Sequence, residues 1–100
     1  MGKKKPTLKE QKNMEKVASI GCIACRKLGI YDSPAEIHHI KNFTGAGKRS
    51  SHLLVLPLCP NHHRNSNESY HHSPKKFENR FGSQIKLLQE VLDILSSINH

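Results

Sequence analysis

One hundred residues make one small domain, which buries only about 60–65% of its unfolded surface and so calls for a staple besides its core. Sixteen Lys and Arg against eight Asp and Glu give a net charge of +8, which points to an anionic partner, nucleic acid being the commonest. Three cysteines cannot all pair within one chain, no run approaches the ~18 apolar residues of a membrane span, and no apolar stretch follows the charged start, so a secreted disulfide framework, a spanning helix and a signal peptide are set aside for a reducing, intracellular setting.

Residues 1–7 read as a disordered basic arm carrying Lys3, Lys4 and Lys5. Thr7 followed by Glu10 is a capping-box pattern, and Leu8, Met14, Val17 and Ala18 supply the apolar stripe of a helix over residues 8–20, stopped by Gly21. Cys22-Ile-Ala-Cys25 follows as a knuckle-type turn, and 28–34 is a loop. Residues 35–40 and 53–58 are two short strands, joined by a basic Gly/Ser loop over 44–51. Cys59-Pro60-Asn61-His62-His63-Arg64 opens a helix with Pro60 near its first turn. After a polar loop over 65–69, Ser73-Pro74 caps a helix over 75–81 that Gly82 ends. The segment 84–98 places Ile85, Leu88, Leu92 and Leu95 on one helical face and Leu87, Val91, Ile94 and Ile98 on a second. A helix so apolar around its girth is buried or meets a partner.

Cys22-x-x-Cys25 and Cys59-x-x-His62 form two matched ligand pairs, and an x-x spacing lets one tight turn set two ligands on one tetrahedral ion. A knuckle first and a helix start second is the treble-clef arrangement of a structural zinc site. Such a site holds four protein ligands and no open position, so its ion supports the fold and performs no chemistry. The bland alternative is a set of buried, inert cysteines.

Further histidines lie close to these pairs in sequence: His38, His39, His52, His63, His71 and His72. Neighbours on a strand point to opposite sides, so His38 and His39 need a local twist to serve one centre. On a helix His63 faces about 100° away from His62 and can reach a second centre. Histidines scattered over the surface are the competing reading.

The strings Ala-Glu-Ile-His38-His39-Ile, Gly-x-Gly-Lys-Arg-x-Ser-His52 and Leu-Pro-Leu-Cys59-Pro-Asn-His62-His63-Arg64 resemble the His-Asn-His endonucleases, and within them the phage recombination-enhancement, RecA-dependent nucleases. Phe77-Glu-Asn-Arg-Phe-Gly82 is similar to that group's tail motif. The resemblance implies a small zinc-bound α+β domain with a treble-clef, ββα-metal core over residues 8–82, flanking helices, and a C-terminal helix over 83–100 packed on it. It implies His38 and His63 as ligands of a catalytic divalent ion, with His71 or His72 as the third, and His39 as general base. His52 stands where most of the superfamily has Asn, and either orients His39 or contacts phosphate. Mg²⁺ or Mn²⁺ is the implied catalytic ion, although all-imidazole ligation suits a transition metal better, and Zn²⁺ fits the site too.

The implied activity is DNA phosphodiester hydrolysis in homologous recombination or repair, with a RecA-type filament as partner. Its setting is the bacterial cytoplasm, with a phage or prophage origin. Lys48, Arg49, Arg64, Lys75, Lys76 and Arg80 are candidate phosphate contacts, and none reads a base by itself. The rival function is a non-catalytic treble-clef DNA-binding module, which needs the four zinc ligands but has no use for His38, His39 and His63 together. The oligomeric state stays open.

Overall fold

The computed structural model describes residues 5–40 and 54–98. They form a small α+β domain, in which helices surround a two-stranded sheet. Helix α1 (Leu8–Ser19) begins as its sequence dictates. Thr7 Oγ1 accepts from the Glu10 amide at 3.1 Å, and the Glu10 carboxylate accepts from the Thr7 amide at 2.8 Å, so two otherwise unpaired donors are satisfied.

Gly21 ends α1 with φ +82°. A Cβ there would lie 3.0 Å from the Tyr31 carbonyl oxygen and 3.2 Å from that of Ser33, because the 29–34 loop folds back against this turn. Strain and clash add at this position, so Gly21→Ala is expected to destabilise the domain by about 2 kcal/mol. Chemical denaturation, with the midpoint compared at constant m-value, measures it. An unshifted midpoint would mean that the turn relaxes freely.

Where a simple knuckle was expected, Cys22 caps a short helix, α2 (Ile23–Lys27), and its Sγ accepts from the Cys25 amide at 3.4 Å. Strand β1 (Glu36–His39) then pairs antiparallel with β2 (Val55–Leu58), Glu36 opposite Leu58 and His39 opposite Val55. Every residue of β2 is buried, so this strand has helices over it and carries no alternating polar face.

Beyond Cys59 the expected helix is one π-helical turn, Asn61–Asn65. The chain then doubles back: the Tyr70 amide donates to the His62 carbonyl at 2.8 Å, and the His71 amide to the His63 carbonyl at 3.1 Å. Helix α3 (Pro74–Phe81) starts with Pro in its first turn, but Ser73 makes no side-chain cap, which departs from the sequence reading. Gly82, with φ +116°, turns the chain into α4 (Gln84–Ile98).

The core gathers Val17, Ile20, Ile23, Val55, Leu56, Leu58, Phe77, Phe81, Leu87 and Val91. On α4 the buried stripe is Leu87, Leu88 and Val91, with Ile94 and Leu95 partly covered. It thus draws on both apolar faces read from the sequence. Ile85, Leu92 and Ile98 remain exposed. Among the described residues no helix is long and apolar enough to cross a membrane.

Candidate functional site

Among the described residues, two clusters of side chains that could hold a metal ion flank the π-turn. In the first, Cys22, Cys25, Cys59 and His62 bring one ligand atom each to within 4.8 Å of one another. Cys22 sits at the start of α2 and Cys25 in its first turn, while Cys59 and His62 bracket the entry to the π-turn. Cys25 Sγ and Cys59 Sγ are 3.8 Å apart, and His62 Nδ1 lies 3.6, 3.6 and 3.2 Å from the sulfurs of Cys22, Cys25 and Cys59.

These separations fit a tetrahedron around one ion, whose bonds of about 2.3 Å to sulfur and about 2.0 Å to nitrogen imply S···S edges of about 3.8 Å and S···N edges of about 3.5 Å. All three cysteines are free thiols and buried. Burial pushes the Cys22 thiol up to about 12. Burial also opposes ionisation of Cys59, but the backbone amide of His62 and hydrogen bonds from neighbouring side chains outweigh it and pull that thiol below its ordinary value. Burial, with Arg80 nearby, lowers the pKa of His62 and favours the neutral ring that ligates. The cluster could hold a metal ion such as zinc.

The second cluster is His38, His63 and His71, again with ligand atoms within 4.8 Å of one another. His38 comes from β1, His63 from the π-turn, and His71 from the segment hydrogen-bonded back to that turn. His63 Nε2 and His71 Nε2 lie 3.1 Å apart. Adjacent nitrogens around an ion bonded at about 2.1 Å are about 3.0–3.4 Å apart, so this pair is spaced as two ligands of one metal ion could be. His38 is 1% exposed, with Tyr70 against its ring at 4.6 Å between centroids. His71 is exposed and leaves the cluster open on one side.

Two groups absent from the sequence-derived site hold these imidazoles. Glu36 Oε1 accepts from His63 Nδ1 at 2.8 Å, while both Glu36 oxygens accept from Arg64, at 2.9 and 2.6 Å. The Arg64 bonds first, and the His63 bond second, hold the Glu36 carboxyl down at about 2, so it stays ionised beside His63 throughout the physiological range. Gln84 Oε1 lies 3.0 Å from Nε2 of His38. Neither partner was legible in advance, since the contacts cross 27 and 46 residues of sequence.

The remaining sequence-derived residues fall differently. His39 follows His38 on β1, is partly exposed, and contributes no ligand atom to either cluster. His72 is exposed and also lies outside both. Lys48, Arg49 and His52, like Lys3 and Lys4, lie outside the described residues. Arg64 and Arg80 spend charge on Glu36 and Glu68, the latter pair at 2.7 Å. Lys75 and Lys76 are exposed on the first turn of α3. An exposed row of Lys9, Lys12 and Lys16 on α1 joins Leu8 and Asn13 around a shallow depression. Its i, i+3, i+7 spacing puts the row on one helical face, a signal visible in the sequence.

The chain matches, over residues 6–96, the family described as recombination enhancement, RecA-dependent nuclease. It belongs to this family. No curated protein matches the chain. The match takes in α1, α2, α3 and most of α4, together with both clusters found among the described residues.

Proposed function

We propose that the protein is a divalent-metal-dependent DNA endonuclease of the His-Asn-His, ββα-metal type, working in homologous recombination or repair with a RecA-type filament. The observation that carries this reading is the second cluster. His38, His63 and His71 converge beside a four-ligand zinc-type site, and His39 stands next to them without joining the ligands. A non-catalytic zinc module has no use for this second group. The antiparallel β1–β2 pair followed by the turn bearing His62 and His63 supports the ββα-metal reading, with one π-turn serving as the start of its helix.

In this scheme Cys22, Cys25, Cys59 and His62 hold a structural zinc. His38, His63 and His71 would hold the catalytic ion, which would supply positive charge to offset the negative charge developing at the scissile phosphate and the leaving 3′ oxygen. His39 takes the proton of the attacking water as its oxygen bonds to phosphorus, and the bond from phosphorus to the 3′ oxygen breaks, that oxygen then taking a proton from solvent water. The products are a 5′-phosphate and a 3′-hydroxyl. His52 either orients His39 or contacts phosphate. Lys48, Arg49, Lys75 and Lys76 neutralise backbone phosphates. Arg64 and Arg80 supply what charge their carboxylate partners leave.

The test is metal-defined protein incubated with supercoiled and single-stranded DNA and Mg²⁺ or Mn²⁺, with and without a RecA filament. Metal-dependent cleavage is expected, and its dependence on the filament separates a free endonuclease from a recombinase-directed one. Tight DNA binding without cleavage under every condition would favour the non-catalytic module.

A further inference from the structure

His38 is the most buried member of the histidine cluster, and a ring so enclosed has a definite tautomer only if something fixed holds one of its nitrogens. The side-chain oxygen of Gln84 is placed to do so, 3.0 Å from Nε2. Its position is set by the end of α3. Gly82 turns the chain, and Ser83 receives the first amides of α4, its Oγ from Lys86 at 3.2 Å and its carbonyl from Leu87 at 2.9 Å. Gln84 is therefore the first residue of a helix anchored in the core by Leu87, Leu88 and Val91, and its amide approaches His38 from a rigid element.

We propose that Gln84 is a positioning residue: its amide oxygen accepts the Nε2–H of His38 and presents the Nδ1 lone pair of that ring as the ligand atom. His63 is held by the same logic with the nitrogens exchanged, since Glu36 takes its Nδ1–H and leaves Nε2 toward His71. The two acceptors differ in charge. Glu36 is already matched by Arg64, whereas the Gln84 amide orients its ring without bringing a charge to it. The part that concerns metal rests on the nuclease reading above. The part that concerns the tautomer does not.

The experiment uses the full chain with one zinc per molecule, wild type beside Gln84→Ala and Gln84→Glu, titrated with Co²⁺ in a calorimeter. Loss of an orienting partner is expected to weaken uptake of the second ion by about tenfold to a hundredfold in Gln84→Ala, with the first zinc retained. Gln84→Glu, which keeps an acceptor in place, is expected to restore it. Unchanged Co²⁺ affinity in Gln84→Ala would overturn the proposal. Should that variant fail to fold, two-bond ¹⁵N–¹H correlations of the His38 ring in the wild type decide. The Nε2–H tautomer is expected. An Nδ1–H tautomer, as a rotated Gln84 amide would impose, overturns the proposal. A wild type that binds no second ion would sink the nuclease reading instead, leaving the tautomer to judge Gln84.

Discussion

Cys22→Ser is expected to leave the chain without a cooperative folded state at 25 °C. The substitution keeps the size of the side chain, so a packing void is not the cause. What would be lost is one of four ligands to the proposed zinc, and binding of such an ion contributes on the order of 10 kcal/mol in finger-type peptides. That is as large as the whole stability of a typical domain, about 5–15 kcal/mol. Cys22 also caps α2 through its sulfur and is fully buried, so it joins the first helical unit to the π-turn. Far-UV circular dichroism with a zinc count per chain measures the outcome. A variant that keeps native ellipticity and an unchanged unfolding midpoint would show the cysteines to be inert core residues. The same chemistry sets a pH direction: burial holds the Cys22 thiol up near 12, so zinc must displace a proton to bind, and metal affinity falls as the pH falls.

His39→Ala is expected to lower the cleavage rate by about 10²–10⁴-fold, the usual worth of a general base, while leaving fold and metal content unchanged. The separation between effects is the point of this variant. His39 supplies no ligand atom to either cluster and is only partly covered, so both ligand sets stay complete without it. Loss of His63, by contrast, should cost the second ion itself. Supercoiled-plasmid cleavage alongside metal analysis distinguishes the two. Cleavage by His39→Ala at the wild-type rate would move the base elsewhere, and a variant that lost an ion along with activity would make His39 a ligand.

Local chemistry was the part of this molecule most open to reading in advance. The α1 cap follows from Thr7 and Glu10, which lie within one helical turn, and the zinc-type cluster follows from two pairs each made by a single tight turn. The choice between His71 and His72 as neighbour of His63 was not open in that way. It depends on backbone pairing of residues 62 and 63 with 70 and 71, which no local spacing encodes. Glu36 read as an ordinary strand residue and Arg64 as a phosphate contact until the fold set them against each other and against His63. Gln84 gave no signal at all, because its role depends on where α4 is docked. The α4 stripe blended two apolar faces, since burial follows the shape of the surface beneath the helix and not the tidiest heptad.

His62 and His63 are consecutive residues on one π-turn, yet each belongs to a different ligand group. In the proposed nuclease one peptide unit therefore acts as the tie bar between two ions. Loading would then follow ligand strength, the cysteine-rich group filling before the histidine group, although the partners of His63 already stand in place. Metal scarcity would silence such an enzyme in graded fashion, catalysis failing at the weaker centre well before the scaffold gives way.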